Sequence, residues 1–245
     1  MLRLSEQILF LLVWGGEFLG ELGDLLEWPQ EWGKILAKND RAVKRALARL
    51  VKSGAITKSG KRVKAKYKVT KLGRVKALES RPFLAKREWR GKWLAVVFDI
   101  PERYRGIRSV LRRFLRSMGF VNFQRSLWLT PFGVRREVLA FLKASRLDEM
   151  AYLMEVAKVH GVEPKEFAYR GWGLEALAKR YSDFAKECSD ADKATFAMRQ
   201  KFVKLVFADP MLPDKLMPKD FPRGRAILEY KKLIARNTQI IQRIG

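Results

Sequence analysis

Cysteine and histidine are almost missing from this 245-residue chain, which has one of each, Cys188 and His160. A single cysteine excludes an internal disulfide framework, and we expect a reducing, cytoplasmic setting. The one histidine, beside Gly161 in a predicted loop, leaves no general base for a hydrolase triad and is expected to be solvated. There is also no Walker loop and no dinucleotide-binding glycine pattern. The composition therefore predicts a protein without a cofactor and without enzymatic activity.

Long apolar runs are missing as well. The longest, from Ile8 to Trp14, falls far short of the ~20 residues that a membrane-spanning helix needs. Glu17 and Glu21 follow it without a small-residue cleavage site, which argues against a signal peptide. The sequence therefore predicts no membrane-spanning segment.

Acidic residues are few compared with basic ones. Twenty-six Asp and Glu face 51 Lys and Arg, so the formal net charge is +25. An excess of this size destabilises the compact state through self-repulsion, and it usually reflects a polyanionic partner. Residues 41–76 contain 14 Lys or Arg and no acidic residue. We therefore expect double-stranded DNA as the partner, with an anionic membrane surface as the weaker candidate.

Changes of pattern along the chain predict an α+β protein of three domains. We expect a winged helix-turn-helix DNA-binding domain over residues 1–80, a linker over 81–92, a ferredoxin-like dimerisation domain over 93–160 and an α-helical domain over 161–245. The linker is charged and contains Pro82 and Gly91, which are typical of connecting segments.

The first domain begins with three predicted helices. The first covers residues 4–14, the second begins near Pro29, and the third begins at Asn39 or Asp40 and ends at Gly54. One buried stripe of the third helix is predicted from the spacing of its apolar residues, which are Val43, Leu47, Leu50 and Val51.

A basic hairpin follows these helices. Its turn is predicted at Ser59-Gly60, and Thr70 is predicted to cap a fourth helix. In a winged helix-turn-helix the third helix enters the major groove and the hairpin follows the phosphates. We therefore predict DNA contacts from the cations of both elements, which are Arg41, Lys44, Arg45, Arg49, Lys61, Arg62, Lys64, Lys66 and Lys68. The alternative is a charged surface on an unrelated small α+β domain.

The middle domain shows the element order βαββαβ, which is that of a ferredoxin-like unit. Residues 93–98 (WLAVVF) form the first predicted strand. The helix after it has one apolar face and, opposite, five arginines, which are Arg105, Arg108, Arg112, Arg113 and Arg116. Gly119 is expected to end this helix.

Four features of the middle domain carry a family resemblance. Residues 93–102 (WLAVVFDIPE), the arginine-rich helix, residues 119–120 (GF) and residues 126–131 (SLWLTP) resemble the central domain of the PaaX family of phenylacetate-degradation repressors. That domain is itself similar to a small CRISPR adaptation endonuclease, whose first strand ends in an aspartate proposed to hold a metal. The matching position is Asp99. For PaaX proteins the resemblance implies a dimerisation scaffold.

Asp99 is also the centre of an alternative function, a metal-dependent nuclease fused to a DNA-binding head. Phosphodiester chemistry needs several oxygen ligands, and only Glu102 lies near Asp99 in the sequence. A symmetric dimer could bring two copies of Asp99 together. We expect instead that Asp99 closes a turn and caps the next helix, and that the protein binds no metal.

The C-terminal domain extends the resemblance. Residues 209–213 (DPMLP) and 220–224 (DFPRG) resemble the C-terminal PaaX segment, with Phe221 in place of the usual Trp and Arg223 inserted before Gly224. The resemblance implies a homodimeric repressor that an acyl-CoA thioester, phenylacetyl-CoA in the founding cases, releases from its operator. The aromatic residues of this domain are expected to form core rather than a ligand wall; they are Trp172, Tyr181, Phe196 and Phe202. A non-specific nucleic-acid packaging protein is the remaining alternative.

Overall fold

The computed structural model describes residues 3–19, 40–60, 66–80 and 88–244. Its helices and strands, in chain order, are α1 (Leu4–Leu19), α2 (Asp40–Lys52), β1 (Ile56–Ser59), β2 (Lys66–Val69), α3 (Lys71–Ser80), β3 (Trp93–Phe98), α4 (Arg105–Ser117), β4 (Val121–Gln124), β5 (Leu127–Thr130), α5 (Arg135–Ala144), β6 (Ala151–Val156), α6 (Pro164–Gly171), α7 (Leu174–Asp190), α8 (Phe196–Ala208) and α9 (Arg223–Ile244). None of the helices in these ranges is long and apolar enough to cross a membrane. The helix predicted from Pro29 lies outside the described residues.

The chain forms two compact units. Of the described residues, the terminal unit contains 3–19, 40–60, 66–80, 176–209 and 221–244. The central unit contains 88–175 and 210–220. The division into three domains, 1–80, 93–160 and 161–245 with a linker over 81–92, stays a prediction.

An apolar core lies beneath α1, α2 and the hairpin of the terminal unit. α2 contributes Val43, Ala46, Leu47 and Leu50, which recur every three or four residues and are all buried. The prediction that Val51 belongs to this stripe is wrong, because Val51 is 36% exposed. At about 100° per residue, Val51 lies roughly 90° around the helix from the centre of the stripe.

The same core extends to the C-terminal half of the terminal unit. Val203 of α8 is buried in it, and Phe207 packs against it. The rings of Phe10 and Phe207 lie 5.5 Å apart between their centroids. The first helix is therefore held by residues far along the chain as well as by its sequence neighbours.

Gly54 ends α2 as predicted. Its φ of +69° lies in the left-handed region that only glycine adopts without strain. The N–H of Gly54 donates to the carbonyl of Val51, and the N–H of Ala55 donates to the carbonyl of Leu50, both at 3.0 Å. These two bonds form a Schellman motif, which satisfies the last carbonyls of the helix and turns the chain into β1.

Thr70 caps α3, also as predicted. Its Oγ1 accepts from the N–H of Gly73 at 3.0 Å and donates to the carbonyl of Gly54 at 2.6 Å. Gly73 lies directly on the backbone of Ala55: a Cβ there would stand 2.0 Å from the carbonyl oxygen of Ala55. The start of α3 can therefore approach the end of α2 only because residue 73 has no side chain.

The central unit contains a four-stranded sheet in the order β4-β5-β3-β6, with all neighbours antiparallel. With α4 and α5 in the connections, this is the ferredoxin-like topology that the sequence predicts. The first strand has the predicted bounds, residues 93–98, and Gly119 follows α4 with a φ of +80°.

Helices and loops cover both faces of this sheet. On one face, the guanidinium of Arg112 from α4 lies over the ring of Phe98, and Phe114 of α4 stacks on Phe141 of α5 at 3.9 Å. On the other face, Trp93 packs against Phe167 of α6 at 5.0 Å and stacks near Trp172 at 5.9 Å. Burial on both sides explains why β3 is apolar at every position rather than at alternate ones.

Candidate nucleic-acid interface

The outer face of α2 is covered by cations. Arg41, Lys44, Arg45, Arg49 and Lys52 are all exposed, whereas the opposite face of the helix is buried. Arg45 donates from Nε to the carbonyl oxygen of Arg41 at 3.4 Å. Within the part of the chain that the structure describes, none of the five forms an ion pair with a carboxylate. Their positive ends therefore remain available to an external anion.

The hairpin beside α2 presents further lysines. Tyr67 and Val69 pack against the core, and Lys68 between them is exposed, as the predicted alternation requires. The prediction that Ser59 is a turn residue is wrong, because Ser59 is the last residue of β1 and pairs with Lys66. Pairing Ile56 with Val69 places two apolar side chains toward the core, and the ladder then continues to Ser59.

Part of the predicted interface lies beyond what the structure describes. Lys61, Arg62 and Lys64 are outside the described residues, and only the backbone of Lys66 is described. Their contacts with DNA stay predictions. The described cations of α2 and Lys68 belong to one compact piece of the fold, because α2 contacts β1 and β1 pairs with β2.

Asp99 stands alone at the end of β3. Its side chain is exposed, and its N–H donates to the carbonyl of Met150 at 2.9 Å, which closes the strand end. The prediction that it caps the next helix is wrong. The N-cap residues of the 3-10 turn Glu102–Tyr104 and of α4 are Pro101 and Tyr104, and neither caps through its side chain.

Glu102 does not join Asp99 in a carboxylate pair. Its side chain accepts a hydrogen bond from Arg108 instead. In the described ranges, no group of three or more His, Cys, Asp or Glu side chains could hold a metal ion.

A cavity of about 590 Å³ lies in the central unit, and sequence reasoning missed it. Its lining combines apolar and charged side chains, which are Glu88, Arg90, Lys92, Trp93, Leu94, Pro131, Phe132, Arg135 and Glu155, with Gly133. Glu155 is held by Lys92 at 3.6 Å and by Arg135 at 3.3 Å. The lining comes from three separate segments, so no local pattern in the sequence could have indicated it. Its volume falls within the range of small-molecule sites, about 300–1,000 Å³.

A fully buried carboxylate lies in the terminal unit. Arg223 donates from Nε and Nη2 to the two oxygens of Asp209, at 2.6 and 2.7 Å. The hydroxyl of Tyr181 donates to Asp209 at 2.8 Å. Burial, and secondarily the charge of Asp209, raise the pKa of Tyr181 well above its usual value. The guanidinium of Arg223 also lies over the ring of Phe221 at 5.4 Å.

The remaining candidates behave as expected of structural residues. Phe202 stacks on Tyr230 at 4.6 Å in the core, and Tyr181 is buried. Cys188 is buried, and that burial raises the pKa of its thiol to about 12. His160 is exposed in a turn, as predicted. Trp172 is half-buried against Trp93, where it packs in an aromatic cluster.

Comparison with known proteins gives matches to two family models. Residues 86–168 match the model of the PaaX protein central Cas2-like domain, and residues 172–242 match that of the PaaX-like protein C-terminal domain. The solved structure of the uncharacterized protein Rv0674 from Mycobacterium tuberculosis is 19% identical, with a TM-score of 0.50 over 89% of this chain and 88% of the other. At this identity the likeness concerns the fold alone. No curated protein matches the chain.

The two matches agree with the residues that carry the resemblance in the sequence. They follow one another in the order central domain, C-terminal domain, and together they span more than half of the chain. The ferredoxin-like sheet lies within the first match, and the buried pair of Asp209 and Arg223 lies within the second. The chain belongs to the PaaX family, a family of transcriptional regulators.

Proposed function

We propose that this protein is a sequence-specific repressor that binds double-stranded DNA through a winged helix-turn-helix at its N terminus. The cation-covered face of α2 carries this proposal. Its five exposed Lys and Arg have no carboxylate partner among the described residues and repel one another, and phosphates relieve that repulsion. The order α2, β1, β2 is that of a recognition helix followed by a wing.

Selection of bound sequences from random duplexes, followed by footprinting of the enriched sequences, tests this proposal. A repressor enriches one motif and protects it at nanomolar concentration, because specific sites are typically about 10³–10⁷ times tighter than random DNA. A packaging protein would give no motif and equal protection of all duplexes, and that result would contradict the proposal.

We further propose a two-fold homodimer that pairs the outer edges of two β6 strands. Of the two edge strands of the sheet, β4 is short and has a bulge between Asn122 and Gln124. Both features make pairing with a strand of another chain less favourable. β6 is regular over six residue pairs. On β6, Tyr152 is 59% exposed and Met154 is 44% exposed. These large apolar side chains lie next to the backbone groups of the outer edge, which are open to pairing with another strand.

A dimer gives the protein its specificity. One recognition helix covers few base pairs, too few to distinguish an operator among roughly 10⁶ or more competing sites. Two copies related by a dyad read an inverted repeat with half-sites about one helical turn, or a multiple of it, apart.

We also propose that an acyl-CoA-like effector releases the protein from its operator and that the cavity of the central unit binds it. Trp93 and Phe132 offer apolar surface, and Arg90, Lys92 and Arg135 offer positive charge for an anionic ligand. Displacing Glu155 from Lys92 and Arg135 would free two cations for that ligand.

Titration with phenylacetyl-CoA, with free CoA as the control, tests the effector. We expect release of DNA and a change in tryptophan fluorescence with the thioester, and both effects weakened in a Lys92→Gln, Arg135→Gln variant. Release that is unchanged in this variant would place the effector elsewhere.

The nuclease alternative is tested at Asp99. The regulatory family and the lone, exposed carboxylate both argue against it. Incubation of duplex DNA with Mg²⁺ or Mn²⁺ should leave the DNA intact. Cleavage that disappears in Asp99→Ala would make the nuclease the better description.

A further inference from the structure

α4 of the central unit is as basic as α2, the proposed recognition helix. It lies outside the proposed winged helix-turn-helix of residues 1–80, which we call the DNA-binding head. From Arg103 to Arg136 there is no acidic residue and no lysine, and every charged side chain is an arginine. Five of these arginines lie on α4, and Arg125 lies in the turn between β4 and β5. The structure thus contains a second concentration of positive charge, in a different unit from α2.

The arginines of α4 form one face of the helix. Arg105, Arg108, Arg112 and Arg116 are spaced by three or four residues, so they follow one stripe, and Arg113 flanks it. Leu111 and Leu115 on the other side are fully buried. At about 1.5 Å per residue the stripe is roughly 17 Å long. DNA carries one negative charge per ~1.7 Å of its axis, so a duplex laid along this stripe offers several phosphates to it.

We call this stripe, with Arg113 and Arg125, the arginine face. Several of its guanidinium groups are held in place by neighbouring groups. Arg112 donates to the carbonyl of Arg125 at 3.3 Å and lies over Phe98, and Arg116 lies 5.2 Å over the ring of Trp128. Arginine can lie over an aromatic ring while its planar fork still donates to an anion, and the ordering of Arg116 in this way reduces the entropy lost on binding.

Little negative charge compensates this face. Arg108 is bonded to Glu102, but Arg105, Arg113, Arg116 and Arg125 form no ion pair within the described part of the chain. Other exposed helices mix their charges: Glu166 pairs with Arg170 on α6, and Glu229 pairs with Lys232 on α9. A solvated face without a partner would gain from the same mixing.

We propose that the arginine face binds the phosphodiester backbone of DNA, as a second contact surface besides the head. Arginine suits this partner because its planar fork donates two parallel hydrogen bonds to a phosphate. Such contacts carry no base information. They lengthen the stretch of duplex that the protein occupies and raise its affinity for all sequences alike. The proposal rests on the proposed DNA-binding function.

A charge-neutralised variant of the full-length chain tests this surface. Arg105, Arg113 and Arg116 are exposed, and the triple Gln variant removes three charges without disturbing Arg112, which packs on the core. The matched control replaces three exposed cations elsewhere in the central unit, Arg136, Lys143 and Lys165, with Gln. Both variants have the same net charge, so a difference between them reports position and not overall charge.

Affinity for the selected operator and for a random duplex is then measured from 50 to 200 mM salt. We expect the arginine-face variant to bind both duplexes about tenfold or more weakly, since one charge-assisted contact is worth roughly that factor. Its log–log salt slope should be flatter by up to about 2.7, or 0.9 for each lost phosphate contact. The control variant should retain at least most of the wild-type affinity and slope.

The possible outcomes separate this proposal from the proposed function. Equal affinities of both variants and the wild type would overturn the proposal that the arginine face binds DNA. The proposal that the DNA-binding head binds DNA would still stand. Equal losses in both variants would reduce the effect to net charge and also overturn it. If the wild type binds no duplex, both proposals fail. Wild-type binding to anionic vesicles but not to DNA would assign the face to a lipid surface instead.

Discussion

Asp209 and Arg223 form a buried, bidentate ion pair that joins the end of α8 to the start of α9. The side chain of Asp209 has no solvent exposure, and that of Arg223 has only 13%. Both belong to segments that carry the family resemblance, and Arg223 is the residue inserted relative to the usual pattern. The pair, with Tyr181 as a third partner, connects three helices across an irregular stretch whose only regular structure is a 3-10 turn.

Removing one partner of this pair should destabilise the protein strongly. Asp209→Asn leaves the Arg223 charge without its carboxylate, and breaking a buried pair costs about 3–5 kcal/mol in general. We expect about 3 kcal/mol from urea unfolding, because solvent reaches part of Arg223. Lys201→Gln is the control: it breaks an exposed pair with Glu187, which is worth at most about 1 kcal/mol. Similar losses in both variants would contradict the importance of burial.

Cys188 should make the folded state sensitive to alkaline pH. Burial, with smaller effects from Glu187 and Glu229, raises its pKa from 9.0 to about 12. The unfolded chain therefore loses the thiol proton near pH 9, whereas the folded chain keeps it. The stability due to this group is complete below pH 9 and declines toward pH 12, with a slope of at most about 1.4 kcal/mol per pH unit.

Urea unfolding at several pH values between 8 and 11 measures this decline. Cys188→Ala should show a shallower decline than the wild type, although Tyr181, whose pKa is also raised, still contributes above its usual range. The native thiol should also react slowly with a disulfide reagent at pH 8, and quickly after unfolding. Parallel curves for wild type and variant would rule out Cys188 as a source of the pH dependence.

Gly73 should tolerate no side chain. A Cβ would stand 2.0 Å from the carbonyl oxygen of Ala55, which belongs to the backbone and cannot rotate away. We expect Gly73→Ala to destabilise the protein by at least about 2–3 kcal/mol, the upper range for overpacking. The control is Gly106→Ala on α4, where the new methyl group meets no atom within 4 Å.

The control should be neutral or slightly stabilising, because alanine favours a helix over glycine by about 0.5–1 kcal/mol. Thermal unfolding of both variants compares the two sites directly. An unchanged melting temperature for Gly73→Ala would mean that α3 can move away from Ala55.

Local patterns predicted much of the fold because the elements concerned are decided by neighbours in the sequence. The glycine at the end of α2, the threonine cap of α3 and the order βαββαβ all follow from spacing or turn chemistry, and the structure confirms them. Val51 is exposed, contrary to the prediction, because it lies at the border of the apolar stripe, where spacing alone does not decide burial.

Contacts between distant segments could not be predicted in the same way. Asp209 and Arg223 were each marked by the resemblance, but nothing local shows that their side chains meet. The cavity near Trp93 is formed by residues from three separate segments. In the sequence, the charged residues that line it cannot be distinguished from ordinary solvent-exposed residues. Asp99 was expected to cap a helix from its position alone, whereas the chain continues through Ile100 and Pro101 before the helical turn begins.

Arg45 is expected to read base edges rather than phosphates. It projects from the exposed face of α2, the proposed recognition helix, and a bidentate Arg–guanine contact gives about 1–3 kcal/mol of discrimination. Arg45→Ala should therefore weaken binding to the selected operator much more than binding to random DNA. Lys52→Ala, at the end of the same helix, is the control and should weaken both alike. Equal losses for Arg45→Ala would assign this residue to the backbone contacts.

The proposed dimer through β6 predicts that one added charge on that strand separates the protomers. Met154 and Leu139 are similarly exposed, by 44% and 46%, but Leu139 lies on α5 and not at the sheet edge. Lysine at position 154 would place a charge within the paired edges, and charged edge residues are a common means of preventing strand pairing. Met154→Lys should therefore sediment as a monomer at micromolar concentration, while Leu139→Lys should sediment as a dimer.

DNA binding should also differ between Met154→Lys and Leu139→Lys. In the dimer, the second head binds its half-site intramolecularly, which raises the affinity for an inverted repeat by about 10²–10⁴ over a single half-site. Met154→Lys should lose this advantage and bind repeat and half-site with similar affinity, because its heads are no longer joined. Leu139→Lys should retain it. A wild-type protein that sediments as a monomer and prefers no repeat would contradict the pairing of β6 and leave its exposed Tyr152 and Met154 without a partner.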